Sequence, residues 1–440
     1  MRALERYHCA TASQSFQLSS LAPLAEIEPP ENPRALLTNA LRSVIFTTHQ
    51  IDFRENPREI IAEGHRQSER TMRLLAISAP NDEHTVLAVF LLRNAGVEVE
   101  FWSPSDAPLL ERTCASIGGA GIQISSRHGS DGDRDLTLFN VVLFRKYSKP
   151  IVPDHVHPSD EAVVKREFGL FIDNCFGLIG PAAFWVNPWL SLFTCGKLEQ
   201  LAFARRMGWR IPETLVSYRP EAIRRFHERH KDKGVILKAF APAVWQDEEG
   251  RIFASFTSEL TPQIVEDEQS LSSVPGIYQE RIDKRYELRV TMFGSFGICV
   301  RIDSQASDRT MLDWRAGGAD ISLRRIEMDE RLRAKCVEMM KSLKINFGCF
   351  DFIVDKEGEV IFLEVNPAGQ FLWIENVDAE IPMLSYFCEF LTGGQQDFRP
   401  QLDRRFPALR DVVDSAAFSD FSQAFTAAHP EIKTGMINQE

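Results

Sequence analysis

The sequence predicts an α/β protein of mixed, α+β kind, and three observations carry that reading. A β-α-β unit begins at Met72. Strands dominate from Val235 to Asp303. A hairpin over Phe347–Asn366 then places carboxylates on otherwise apolar strands.

At 440 residues the chain has room for two or three domains. A net charge of −12 argues against broad binding to nucleic acid or to an anionic membrane surface. The eight cysteines are scattered with no CxxC pair, which reads as reduced thiols in a cytoplasmic protein. No apolar run approaches the roughly 20 residues of a membrane span. The N-terminus lacks the basic-then-apolar order of a signal peptide.

Residues 1–71 are weakly patterned, with Pro23, Pro29, Pro30 and Pro33 close together and a short helix expected near Arg34–Val44. They form an extension of unassigned role, and Met72 is an alternative start. The β-α-β unit reads as a strand Arg73–Ser78, an Asp82 N-cap, an apolar helix ending before Gly96 and a strand Val97–Trp102. A strand Leu136–Arg145 and a helix Glu161–Leu178 continue this open α/β domain, bounded at 72–190. A helix Thr194–Met207 stops at Gly208. Another starts near Pro220 and runs to Lys231. Strands are expected at Val235–Phe240, Arg251–Thr257, Gly276–Arg281, Tyr286–Phe293 and Phe296–Asp303. Helices follow at Asp329–Leu343 and Ile381–Leu391. The spans 191–275 and 276–393 read as two further subdomains, and 394–440 as a polar tail with two short helices.

The hairpin is the most informative segment. Acids are depleted in strands and cost free energy to bury alone. Asp351 nevertheless lies on one apolar strand, and Glu364 and Asn366 lie on the next. A turn over Asp355–Gly358 would set Val354 opposite Glu359 and Asp351 opposite Phe362. Alternation then puts Asp351, Glu364 and Asn366 on one face, with Asp351 and Glu364 on a diagonal roughly 7–8 Å apart. Two carboxylates and an amide oxygen so placed suit Mg²⁺.

Other residues add weaker signals. Lys197, on a helix, and Lys238, ending the strand VILK, are suited to hold polyphosphate. Taken singly, a snorkelling surface lysine is the simpler reading of each. The connector from Glu280 to Glu287 fits a nucleotide base and ribose, or a charged hairpin loop. Arg289, Arg301 and Arg315 suit bidentate contact with carboxylate or phosphate, or pairing with a structural acid. His155 and His157 beside Asp154 and Asp160 lack a complete zinc spacing and read as loop residues. Asp131, Asp133 and Asp135 lack the glycine and glutamate of a calcium loop.

In order, Lys197, Lys238, Glu280 to Glu287, Asp351, Glu364 and Asn366 resemble the ATP-grasp carboxylate–amine ligases. The segments Glu287-Leu288-Arg289-Val290, Ile302-Asp303-Ser304-Gln305, Asp313-Trp314-Arg315 and Glu364-Val365-Asn366-Pro367-Ala368-Gly369-Gln370, running on to Trp373-Ile374-Glu375, narrow the likeness. Over about Met72 to Leu391 the chain resembles the graspetide, microviridin-type peptide maturases. The resemblance implies an ATP-grasp fold, with an N-terminal α/β domain, a central subdomain and a C-terminal subdomain holding the metal. It implies ATP and Mg²⁺, two ions, as cofactors. The implied partner is a ribosomal precursor peptide whose Asp or Glu side chains are activated as acyl phosphates and closed into ω-ester or ω-amide rings. A homodimer is the family's habit.

By the same resemblance Asp351, Glu364 and Asn366 bind the metal. Lys197 and Lys238 hold phosphates, Glu280 and Ile282 meet adenine, and Glu287 meets ribose. Arg289, Arg301 and Arg315 steady the transferring group or the acceptor carboxylate, and Arg145 meets the substrate. The segment Ala239–Gly250 departs from the family in lacking a glycine-rich loop. A ligase acting on free amino acids or a protein C-terminus, and a non-catalytic ATP-binding regulator, are the alternatives.

Overall fold

A computed structural model describes residues 72–119, 121–147, 150–240, 244–246, 251–254, 257–316, 321–401 and 406–429. The extension before Met72, with the helix expected near Arg34–Val44, lies outside the described residues. So do Gly317-Gly318 and much of Ala239–Gly250.

The chain enters through β1 (Arg73–Ile77), α1 (Glu83–Asn94) and β2 (Glu98–Trp102). Asp82 caps α1 by accepting from the Thr85 amide. Gly96, at φ +81°, takes the left-handed turn that ends it. β3 (Glu111–Gly118) and β4 (Gly121–His128) then form an antiparallel hairpin, extended by β5 (Arg134–Asp135). The sequence reading missed this hairpin because most of its residues are exposed on both faces, so no alternating pattern marks it. β6 (Val141–Phe144), α2 (Glu161–Phe176) and β7 (Phe184–Val186) complete a parallel sheet of order β2-β1-β6-β7.

A short helix, α3 (Trp189–Thr194), precedes the helix expected over Thr194–Met207, which is α4 (Lys197–Arg206). The extended backbone of Gly196 separates them and makes Lys197 the first residue of α4. After β8 (Thr214–Ser217) and α5 (Pro220–Arg229) come β9 (Val235–Lys238), β10 (Val244–Gln246), β11 (Ile252–Ala254) and β12 (Ser258–Glu259). Of the strand expected at Arg251–Thr257, β11 is the described part and pairs with β10; β12 follows that span and pairs with β9. α6 (Pro262–Glu266), α7 (Glu268–Ser273) and β13 (Gly276–Glu280) close a sheet of order β12-β9-β13-β8. β13 belongs to this sheet, so the central unit runs five residues past the boundary expected at 275.

The last sheet is antiparallel, in the order β16-β15-β14-β17-β18. Its members are β14 (Lys284–Phe293), β15 (Phe296–Ile302), β16 (Leu323–Ile326), β17 (Phe347–Asp355) and β18 (Val360–Asn366), with α8 (Glu330–Leu343) between β16 and β17. One face, with Leu288, Val290, Phe350, Phe352 and Phe362, packs on α8 and Trp209. The other is apolar at one end, where Phe293, Ile298 and Phe347 meet α9 (Leu372–Val377) and α10 (Met383–Gly393). Its opposite end carries the polar residues described below.

The segment read as a polar tail is part of this core. α11 (Leu409–Val413) buries Leu409 and Val412, and α12 (Ala416–Ala427) lays Phe418, Phe421 and Phe425 against Phe90 and Phe101. Their i, i+3, i+7 spacing is the helical signal that overall polarity hid. Phe425→Ala is expected to cost about 3 kcal/mol, the lower end of the range for a buried phenylalanine. A shift in the denaturant midpoint at unchanged slope checks it. Among the described residues no helix is long and apolar enough to cross a membrane.

Candidate active site

Three strands present a row of charged side chains. Arg289 on β14 stands opposite Asp351 on β17, Asp351 stands opposite Glu364 on β18, and Cys349 stands opposite Asn366. The expected register is corrected at two points. Val354 faces Val360 rather than Glu359, and a bulge at Leu363 brings Glu364 directly opposite Asp351. The two one-residue shifts sum to an even number. The face is therefore unchanged, while the diagonal becomes a direct pair.

Like charges directly opposite one another are destabilising, and cations flank this pair. Arg289 Nη1 lies 3.0 and 2.9 Å from the two Asp351 oxygens. Lys197 Nζ lies 3.0 Å from Glu364 Oε2. Burial raises the Asp351 pKa and the Glu364 charge adds to this, against Arg289. Burial also presses on Glu364, but Lys197 and Lys238 outweigh it and hold its carboxyl low. Lys238 is lowered by burial first, with Lys197 and Arg315 adding to it.

Arg315 reaches the same cluster from the 3-10 turn after β15. It donates from Nε and Nη2 to Asp313 at 2.9 and 2.7 Å and feels the charges of Glu364 and Asp351. Burial presses the Asp313 pKa upward, but Arg315 and the Thr257 amide pull it down to about 2. Four cations, Lys197, Lys238, Arg289 and Arg315, thus face three carboxylates. That leaves one positive charge in excess, an arrangement that favours an anionic ligand.

Asn366 Oδ1 accepts from the Ala368 amide at 2.9 Å, closing a turn. This oxygen and the carboxylates retain lone pairs beyond those bonds, so the set fits a hard divalent cation.

Glu287 lies two residues before Arg289 on the same face. It is buried and bonded to Lys284 Nζ at 2.7 Å and to the Ser304 hydroxyl. Burial raises its pKa. Glu280 ends β13 and accepts from the Glu213 amide at 3.1 Å and from Lys233 Nζ at 3.0 Å. These bonds tie its side chain to the residues just before β8 and β9. Ile282 is half-buried on the connector between β13 and β14.

Arg301 is corrected. It stands opposite Leu288, and so on the reverse face of the sheet from Arg289. There it lies over the Tyr286 ring at 4.1 Å and pairs with Asp303. Arg145, expected at a substrate, donates from Nε to Asp82 at 2.9 Å and from Nη2 to the Ala368 carbonyl at 3.1 Å.

That last bond is one of several that grip the loop after Asn366, and sequence reasoning missed the others. Asn187 Nδ2 donates to the Pro367 carbonyl at 2.7 Å. Arg289 Nη2 donates to the Gln370 carbonyl at 2.7 Å. His84 Nε2 accepts from the Phe371 and Leu372 amides at 3.1 and 3.3 Å. A side chain at Gly369 would press on Cys349, with Cβ atoms 2.7 Å apart. Gln200 on α4 takes both the amide and the carbonyl of Val365, at 2.8 and 2.9 Å, and so fixes the helix that carries Lys197. Asn187 is an isolated polar residue in an apolar stretch, while His84 and Gln200 lie among other polar residues, so none signals its role until the partner is known.

Accepting two amides requires an unprotonated His84 Nε2. Burial, with Arg145 beside it, lowers the His84 pKa well below its ordinary 6.5. The unfolded chain therefore binds the extra proton first. The contribution of His84 is complete above about pH 6.5 and is lost as pH falls, by up to about 1.4 kcal/mol per pH unit. His84→Gln is expected to remove this slope from the stability–pH curve below pH 6.5. An unchanged curve would refute the role.

No family model and no curated protein matches the chain. Solved structures do match. The Chryseobacterium gregarium RiPP-associated ATP-grasp ligase, solved with ADP and a leader and core peptide, is 22% identical at a TM-score of 0.66, over 74% of this chain and 97% of that one. The macrocyclase MdnC from Microcystis aeruginosa MRC, bound with precursor peptide MdnA, is 23% identical at 0.64, over 73% and 100%. The chain has an ATP-grasp fold. The ATP-grasp ligase PsnB, solved with a minimal precursor, matches at 0.58 and 20% identity, over 74% and 100%. In the ATP-grasp fold of this chain, the charged row lies on the C-terminal sheet, Lys238 on the central sheet, and the loop grip comes largely from the N-terminal domain.

Proposed function

We propose that the chain is an ATP-dependent ligase that activates Asp or Glu side chains of a ribosomal precursor peptide and closes them onto a hydroxyl or amine of the same peptide. The observation that carries the proposal is the row Arg289–Asp351–Glu364, with Lys197, Lys238 and Arg315 converging on it, in a chain of ATP-grasp fold. The matched ligases, solved with precursor peptides and in one case with ADP as well, support this choice of substrate class.

In this reading the working units are 72–190, 191–280 and 281–393. Mg²⁺ held by Asp351, Glu364 and the Asn366 amide oxygen would tie down phosphate oxygens and offset their charge. Lys197 and Lys238 bind phosphates as point charges. The backbone of the connector around Ile282 and the end of β13 at Glu280 receive the adenine, and Glu287 the ribose. Arg315 and Arg289 neutralise the repulsion between an incoming carboxylate and the triphosphate. The carboxylate oxygen bonds the terminal phosphorus and ADP leaves. A peptide hydroxyl or amine then attacks the acyl carbon, phosphate leaves and the attacking group gives up its proton. No protein nucleophile is required. The enzyme positions the two peptide groups and excludes water. Arg145 acts through the loop rather than on the peptide.

The test is co-expression with a short peptide encoded beside this chain whose core is rich in Thr, Ser or Lys and in Asp or Glu. The peptide is expected to lose the mass of one water per ring, and only with ATP and Mg²⁺ available. An unchanged mass would count against the assignment.

A further inference from the structure

A second cluster lies where the C-terminal helix meets the β3–β4 hairpin. Asp106, His128 and His429 bring one ligand-capable atom each within 4.8 Å of one another. Asp106 is fully buried in the turn before the hairpin, and its Oδ1 has no hydrogen-bond partner among the described residues. Its Oδ2 meets His429 Nδ1. His429 follows α12 and packs on Phe101 and Phe425, with ring centroids 5.2 and 5.0 Å away.

His128 supplies the decisive geometry. Its Nδ1 lies 3.2 Å from Glu111 Oε1, and its Nε2 lies 2.9 Å from the Ala428 carbonyl. A neutral His128 that donates from Nδ1 to Glu111 turns a lone pair on Nε2 toward a carbonyl oxygen and toward the open lone pairs of Asp106. Acceptors that converge in this way need a cation among them. A carboxylate holding the far nitrogen of an imidazole is also how metal-binding histidines are oriented. Arg134, at 2.8 and 2.9 Å, already offsets Glu111. Asp106 Oδ2 meets His429, and Oδ1 is then left to the ion.

We propose that Asp106, His128 and His429 hold a zinc-class divalent ion that fastens the end of α12 to the N-terminal domain. Two imidazoles and a carboxylate are donors that such ions accept, and hard Mg²⁺ does not seek imidazole. The site is independent of the ATP-grasp chemistry proposed above.

The experiment uses the full chain without an affinity tag, stripped with a chelator and titrated with Zn²⁺ alone against a chromophoric competitor, with excess Mg²⁺ filling oxygen-rich sites. One ion per chain is expected, with Zn–N distances of about 2.0–2.1 Å and no sulfur by X-ray absorption. His128→Gln and His429→Gln are expected to weaken binding at least about tenfold, and Glu111→Gln by about 10- to 100-fold. Glu364→Gln is expected to leave it unchanged. ATP binding by each variant reports that it is folded. The proposal is overturned by absent uptake, by uptake that survives both histidine changes in folded protein, or by uptake that Glu364→Gln removes. A protonated-imidazole latch at His128 would give the first of these results.

Discussion

Glu364→Gln is expected to lower ring formation by at least about 10³-fold while leaving the unfolding midpoint within about 1 kcal/mol of the wild-type value. The change keeps the size and one acceptor oxygen of the side chain, but it removes the charge that faces Lys197 at 3.0 Å and any metal between Glu364 and Asp351. Without that charge the excess of cations around Asp351 grows, so ATP binding weakens far less than turnover. The measurement is single-turnover ring closure beside an ATP-binding titration. Wild-type turnover in the folded variant would sink the metal assignment.

Arg289→Leu is expected to act on both stability and activity. It leaves the Asp351 carboxylate without its two charge-assisted bonds and takes one of two donors from the Gln370 carbonyl, which keeps the Trp373 indole N–H. Removing one partner of such a pair costs about 3–5 kcal/mol. The same substitution at Arg301 strips only a half-exposed pair with Asp303 and a contact with the Tyr286 ring, so about 1 kcal/mol and near-normal turnover are expected. Denaturant unfolding and ring-closure rates of the two variants together decide the matter. Equal effects would mean that the two faces of the sheet are not functionally distinct.

That contrast shows what was legible in the sequence and what was not. The β-α-β entry was readable because Asp82 and Gly96 punctuate an apolar helix. The hairpin was readable because acids on apolar strands are rare. Arg289 and Arg301 look alike in sequence, each a cation on an apolar strand. Only the pairing of β14 with β15 puts them on opposite faces. The Leu363 bulge has no compositional mark, yet it converts a diagonal acid pair into a direct one. His84 and Asn187 reach the loop from positions 287 and 180 residues away, a separation at which local pattern carries no information. Glu280 shows the same limit from another side. Its charge suited a ribose or base site, but the Glu213 amide and Lys233 claim it.

The two lysines differ in how they are mounted. Lys197 opens a helix that Gln200 bonds to the backbone of β18 on both sides of Val365. β18 in turn exits into a loop held by His84, Arg145 and Asn187. Lys197, Glu364 and the N-terminal domain therefore make up one fixed jaw. Lys238 stands on the small sheet that joins the C-terminal sheet through residues 281–283. Rotation of that small sheet would carry Lys238 towards or away from Glu364 while Lys197 kept its place. In the proposed phosphate-binding role, Lys197 would be the fixed reference and Lys238 would travel with the small sheet.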